Sequence, residues 1–289
     1  MKFLLLIVFI CFILPFLLGL ISLLILGRKN KNIKFPVGLL FHSIINNREP
    51  HCSYCLQSTF YQLLDNLNKN GFIFTTVEKV KNISKTELPK TIVLCFDDGF
   101  DNFYTFALPV LEKFNIKCSI FIVAGFIGNL SLWDTLPKKK HLTKEQIRKI
   151  SLLGHEIGSH TLTHPNLLYL NDKDLKKELS ESKMILEDIT GKPITSISFP
   201  FGRWNNRIWQ KAKELGYTQA TCYFTNNIKD NNLMPLYGIY SFDTFKDILD
   251  RAINQPYFSN SMARAKIMPH FAKGTPIWKF KQNYHLFVK

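Results

Sequence analysis

Apolar runs alternating with amphipathic stretches predict an α/β chain, with a parallel sheet closed into a barrel and helices packed outside it. Two observations carry the prediction. Thr91–Leu94 and Cys118–Val123 are nearly continuous apolar runs, as expected of parallel strands covered on both faces. The first run ends in the carboxylate pair Asp97-Asp98 followed by Gly99, so its polar residues fall at the C-terminal end of a strand, where barrels of this class gather their chemistry.

The elements follow in order. Val37–Phe41 reads as a strand ending at His42-Ser43, and 58–70 as a helix with Phe60, Leu63, Leu64 and Leu67 on one face and Gly71 behind it. Phe72–Thr76 reads as a strand. The Asp-Asp strand comes next, then a helix over about 102–113 with Pro109 inside its pattern, then the strand Cys118–Val123. Thr143 with Gln146 three residues on is a capping-box pattern that opens another helix. A strand at 155–158 leads into a histidine-rich stretch, and 172–190 is the longest helix. Strands at 196–199, 218–221 and 237–240, with a helix at 207–215 stopped by Gly216, complete the pattern.

Ahead of these units, Phe3–Leu26 holds no charged residue, and a bilayer-spanning helix needs roughly 20 such residues. The expected organisation is a transmembrane anchor over residues 1–27, a basic juxtamembrane linker over 28–36, a catalytic domain over 37–254 and a basic, aromatic tail over 255–289. Arg28, Lys29, Lys31 and Lys34 follow the apolar run while Lys2 precedes it, and this bias favours a cytoplasmic domain. The cysteines agree with a reducing compartment: Cys11 lies in the anchor, and Cys52, Cys55, Cys95, Cys118 and Cys222 are an odd number with no disulfide pattern. Cys95 and Cys118 sit in apolar runs and read as small core residues. The net charge of +15 comes from scattered lysines, which suits an anionic lipid surface or an acidic wall polymer and gives no nucleic-acid signature.

The second polar constellation is His160-Thr-Leu-Thr-His164-Pro165. Histidines four apart on a helical turn project from one face, as two ligands of a zinc-type ion must. Zinc enzymes supply three protein ligands and keep a position open for water, so one aspartate of the 97–98 pair completes the set and the other is left as a base. A divalent ion so held lowers the pKa of its water toward about 7 and allows attack on a carbonyl.

Phe-Asp-Asp-Gly at 96–99, His-Thr-Leu-Thr-His-Pro at 160–165 and Phe-Pro-Phe-Gly at 199–202 stand in the order found in the NodB-like polysaccharide deacetylases, carbohydrate esterase family 4, which the chain resembles over about 37–225. The resemblance implies a distorted (β/α) barrel that removes N-acetyl groups from amino sugars of a surface polysaccharide, peptidoglycan or lipid-linked precursor. It implies Asp97 as base and Asp98, His160 and His164 as ligands of one divalent ion, zinc first, with cobalt or nickel as alternatives. By analogy the Phe201 N–H, beside Pro200, holds the oxyanion. Leu39-Leu40-Phe41-His42-Ser43-Ile44 looks like the first strand of the poly-N-acetylglucosamine subgroup, in which a His here faces the site. The resemblance also favours an extracytoplasmic domain, against the charge bias. Two departures stand out. Ser198 occupies the place where many members have an arginine that orients the base, and the late Leu-x-His acid has no clear counterpart, leaving His270 and His42 as candidates. Trp133, Trp204 and Trp209 are candidates for stacking on sugars, with Trp204 first by position. A glycan-binding homologue without activity, or a deformylase of a lipid-linked sugar, are the alternative functions.

Overall fold

A computed structural model of the protein describes residues 36–49, 52–131, 138–223 and 230–253. The predicted anchor, the C-terminal tail with His270, and Trp133 lie outside the described residues. Among the described residues no helix is long and apolar enough to cross a membrane.

The elements in chain order are β1 (Val37–Phe41), β2 (Ser43–Ile45), β3 (Tyr54–Leu56), α1 (Gln57–Lys69), β4 (Ile73–Thr75), β5 (Thr91–Phe96), α2 (Leu108–Lys113), β6 (Ser119–Ile122), α3 (Lys144–Leu152), β7 (Glu156–Ser159), α4 (Asp172–Thr190), β8 (Ser196–Ser198), α5 (Asn206–Glu214), β9 (Gln219–Tyr223), β10 (Leu233–Gly238) and α6 (Phe245–Ile253). Strands β5, β6, β7, β8, β9, β10 and β1 pair side by side, all parallel, and β1 returns to β5 through five residue pairs from Val37–Ile92 to Phe41–Phe96. The sheet is therefore the closed barrel that the sequence pattern predicts. Strand β4 pairs with the first half of β5, on the edge that β6 takes over further up. Strands β2 and β3 form a separate parallel pair.

Period-two alternation explains the packing. Leu39, Phe41, Ile92, Leu94, Phe96, Ile120, Ile122 and Ile197 point outward and join the apolar faces of the helices, including Phe60, Leu63, Leu64 and Leu67 of α1 and Leu175, Leu179 and Leu186 of α4. The opposite faces carry Leu40, Val93, Cys95, Phe121, Met234 and Leu236, which form a second cluster with Val77 and no residue of the six helices. This second cluster is the barrel interior. It leaves no room at Gly158, where an added Cβ would stand 2.5 Å from the Phe121 ring.

Helix ends follow local chemistry. The Thr143–Gln146 capping box is formed in both directions, and α4 starts at an Asn171 cap and ends at Gly191 with φ 65°. The predicted helix over 102–113 is two pieces, a π-helical turn at Phe103–Ala107 and then α2. Pro109 has no N–H to give to a preceding turn, so it sits in the first turn of α2, where none is needed, and the ladder widens before it. The expected strand at 237–240 lies earlier, as β10.

Candidate active site

The interior-facing positions of four strands turn polar at the C-terminal end of the barrel. Two residues on from each interior position, Leu40 gives way to His42, Cys95 to Asp97, Gly158 to His160 and Ser196 to Ser198. The same alternation that fills the core therefore delivers four polar side chains to one mouth.

Asp98 breaks the alternation. As the neighbour of an inward residue it would point outward, but its backbone is left-handed, with φ 72°. Its carboxylate is buried, and Oδ1 lies 3.6 Å from His160 Nε2 and 3.5 Å from His164 Nε2. Ligand atoms of Asp98, His160 and His164 all fall within 4.8 Å of one another. The separations between Asp98 and the histidines are long for hydrogen bonds and match the edge of a tetrahedron of ligands around zinc, about 3.4 Å for metal–ligand bonds of about 2.1 Å. The donor set of two imidazoles and one carboxylate fits a zinc-type ion.

Both histidines are held in the form that can act as ligands. His160 Nδ1–H donates to the Ser198 carbonyl at 2.8 Å, which leaves Nε2 without a proton and turned toward Asp98. Burial pushes its imidazolium pKa down to about 4, and burial together with His160, His42 and His141 pushes that of His164 well down. His164 does not sit on a helical turn, as the spacing had suggested. Residues 160–164 form a loop in which Thr161 (φ 69°) and His164 (φ 61°) are left-handed, each at a cost of roughly 1–2 kcal/mol. This loop is held from two sides: the Ala124 and Gly125 N–H groups donate to the Thr161 and Leu162 carbonyls at 3.1 and 2.8 Å, and side chains take its own N–H groups. The His164 N–H donates to Thr161 Oγ1 at 3.1 Å, and the Leu162 and Thr163 N–H groups donate to Glu178 Oε2 at 2.8 and 2.9 Å.

Asp97 lies beside the trio, its Oδ2 3.9 Å from His160 Nε2. The Ser198 hydroxyl donates to that same oxygen at 2.9 Å, while Oδ1 is buried with no hydrogen-bond partner among the described residues. Burial raises the Asp97 pKa to about 6, against the opposing effects of His42 and the Ser198 hydroxyl. The serine at the position of the missing arginine thus contacts the candidate base directly. His42, half-buried, acts electrostatically on both Asp97 and His164, which places it at this mouth.

Phe201 is also left-handed (φ 59°), in the tight turn Pro200–Gly202, and its ring meets that of His164 edge-on at 4.8 Å. Gly202 is obligatory there, since φ is 59° and a Cβ would meet the Tyr223 ring at 2.0 Å. Trp204 stacks on Phe199 at 6.5 Å and packs against the core, and Trp209 is buried with its indole N–H on Asp230 at 2.7 Å. Two polar residues at the site escaped the sequence reading. His141, fully buried between Phe100 and Phe126, donates from Nδ1 to the Asp98 carbonyl at 2.9 Å. Glu178 comes from the middle of α4. Only its position on the apolar face of that helix marks it in sequence.

Comparisons with known proteins bear on the family and the fold. Residues 84–220 match the Polysaccharide deacetylase family. YxkH of Bacillus subtilis strain 168, which carries a polysaccharide deacetylase name, is 30% identical over 193 residues, 66% of this chain and 64% of its own. The peptidoglycan-N-acetylglucosamine deacetylase PgdA of Listeria monocytogenes is 27% identical over 139 residues, 48% of this chain and 26% of its own. The chain thus spans less than two thirds of the length of these relatives. Among solved structures, the Streptococcus pyogenes deacetylase PplD in complex with acetate superposes with a TM-score of 0.65 at 22% identity, covering 75% of this chain and 98% of that one.

Proposed function

The chain carries a polysaccharide deacetylase domain, and we propose that it is an active, metal-dependent hydrolase of N-acetyl groups on the amino sugars of a surface glycan, of the poly-N-acetylglucosamine or peptidoglycan kind. The observation that carries the reading is the Asp98–His160–His164 triangle with a second buried carboxylate, Asp97, against its edge. Asp98 Oδ1 and the Nε2 atoms of His160 and His164 would hold one divalent ion, zinc first. When bound, that ion supplies Lewis-acid activation of water and of the amide carbonyl.

The chain's own residues do the rest. Asp97 accepts a proton from the water whose oxygen bonds to the amide carbon, and Ser198 keeps its carboxylate turned to that task. The Phe201 N–H, in its left-handed turn, donates to the oxyanion. Such a donor is worth about 10²–10³ in rate. His42, from the end of β1, protonates the departing nitrogen as the C–N bond breaks. Acetate and the free amino sugar leave. A surface glycan puts the domain on the outer side of the membrane, tethered through residues 1–27.

The alternative of an inactive, glycan-binding homologue rests on the serine at 198 and on the unassigned acid; the Ser198–Asp97 hydrogen bond speaks to the first, and the activity assay decides the second. The test is release of acetate or formate from N-acetylglucosamine oligomers and lipid-linked sugars by the metal-loaded full-length chain, beside Asp97→Asn. Acetate is expected from the wild type and a loss of about 10²–10⁴ in the variant. Equal rates in the two proteins, or no release by either, would overturn the enzyme reading, and formate in place of acetate would transfer it to a deformylase.

A further inference from the structure

Glu178 is an acid in the wrong place for a surface helix. It belongs to α4, between Leu175 and Leu179 on the face turned to the core, and is 9% exposed. A buried carboxylate must be compensated. Among the described residues the groups that oppose its burial are hydrogen-bond donors and not a lysine or arginine. Its compensation comes from the histidine loop. Oε2 accepts the backbone N–H groups of Leu162 and Thr163 at 2.8 and 2.9 Å, and Oε1 accepts the Thr163 hydroxyl at 2.6 Å. The Ala124 and Gly125 N–H groups hold the carbonyls of Thr161 and Leu162 at 3.1 and 2.8 Å, and the two consecutive N–H groups converging on Glu178 fix the second half of the path, next to His164. That path includes the left-handed Thr161 and His164, which an unsupported loop would abandon.

We propose that Glu178 is the positioning residue of the candidate metal site: through Leu162 and Thr163 it holds the loop in the one conformation that brings His164 Nε2 to 3.5 Å from Asp98 Oδ1. It touches neither substrate nor ion. Its counterpart on the other ligands is the pair of contacts from His141 to the Asp98 carbonyl and from His160 to the Ser198 carbonyl, each of which fixes a ligand directly. His164 is instead fixed through its loop, and the side chain that anchors the half of that loop next to His164 lies 14 residues downstream on another element.

This inference rests on the reading that Asp98, His160 and His164 bind a divalent ion, and the experiment separates the two. Zinc and cobalt affinities are measured by competition titration on the full-length chain, together with hydrogen exchange of the Leu162 and Thr163 amides in the metal-free protein. Glu178→Ala is expected to bind the ion about 10–100-fold more weakly and to lose protection at both amides. In Glu178→Gln the amide oxygen can still accept both N–H groups while the Thr163 hydroxyl turns to accept from the amide nitrogen, so affinity should stay within about threefold of wild type. Leu67→Ala, a core cavity in α1, serves as a control for lost stability and should leave affinity unchanged. If Glu178→Ala does not fold, Thr163→Val carries the test, with affinity expected to fall about three- to tenfold. A wild type that binds no ion overturns the metal reading and this inference with it. A wild type that binds while Glu178→Ala, or Thr163→Val in its stead, binds equally well overturns this inference alone, as does a control that loses as much affinity as Glu178→Ala.

Discussion

Ser198 offers the sharpest test of how the site works, because one residue makes two separable contacts. Its hydroxyl donates to Asp97 Oδ2 at 2.9 Å, and its carbonyl accepts from His160 Nδ1 at 2.8 Å. Ser198→Ala removes the first and leaves the second. Both partners of the lost bond are buried, Ser198 to 3% and Asp97 to 5% exposure, so the bond removed is a largely desolvated one. A hydrogen bond to a charged group contributes about 1.5–3 kcal/mol. If all of it serves to aim the base, kcat falls by roughly 10- to 150-fold at 1.4 kcal/mol per decade. Among the described residues the other carboxylate oxygen of Asp97 has no hydrogen bond to take over, so most of that range should be realised. The assay is steady-state acetate release together with metal affinity. The expected result is a fall of at least tenfold in kcat, with KM and metal affinity close to wild type and Ser198→Cys in between, since a thiol is a weak donor. A kcat within about twofold of wild type, or a fall that tracks loss of metal, would refute the assignment of Ser198 as the group that orients the base.

Glu156 gives a prediction about stability. It is buried in β7 near the N-terminal end of the barrel, accepts from Ser119 Oγ at 2.6 Å and from the Glu78 N–H at 3.1 Å, and has its pKa raised by burial against the opposing Ser119 and Ser196 hydroxyls. A carboxyl whose folded pKa is raised gives stability that is fully present below its unfolded value, about 4.3, and is lost as pH climbs through the folded value, so Glu156→Gln should gain on wild type over that window and hold its gain above it. Urea melts of both proteins from pH 4 to 8 check this, and a difference that does not change with pH would be the contrary result. For the anchor over residues 1–27 and the outward domain, a reporter fused after residue 289 is expected to be active only on the outer side of the membrane; activity only on the inner side would reverse the sidedness and favour the charge bias and free cysteines.

What the sequence made legible is what local chemistry and period-two alternation determine. Helix α4 has its predicted limits because Asn171 and Gly191 cap it, and the capping box at Thr143 is where its pattern placed it. The strand before Asp97-Asp98 was readable from its apolar run, and Cys95 and Cys118 are buried core residues as their surroundings suggested. The histidine loop was legible in composition and misread in shape. A spacing of four suits a helical turn, but Glu178 draws two successive N–H groups outward, and a carboxylate from a distant helix leaves no local signal. The same holds for His141, which a run of three lysines precedes. Strands β2 and β3, at three residues each and beside polar His42 and the Cys52-Ser53 stretch, lack the adjoining apolar residue that lengthens the pattern of the equally short β4 and β8, and α6 packs its apolar face against the core where no helix is predicted.

The division of labour proposed for the adjacent aspartates depends on a backbone that changes hand between them. In a regular strand neighbours face opposite sides, so a second carboxylate next to an inward Asp97 would point into the apolar layer between β5 and the helices, where an ion has no solvation. The left-handed Asp98 returns its side chain to the mouth, and Gly99 follows at φ 71° with Ile122 Cδ1 only 2.7 Å from where a Cβ would stand. Any other residue at 99 would have to move Ile122 or give up the turn. Four of the five non-glycine residues with positive φ among those described, Asp98, Thr161, His164 and Phe201, line this one mouth, and the fifth, Asn115, lies after α2. Each of the three segments that carry a candidate ligand is then held by a hydrogen bond to another element: the Asp98 carbonyl by His141, the His160 ring by the Ser198 carbonyl, and the His164 loop by Glu178. Strain concentrated in this way persists only where the surroundings over-determine it, and here the over-determining groups are those whose removal should loosen the site before it unfolds the barrel.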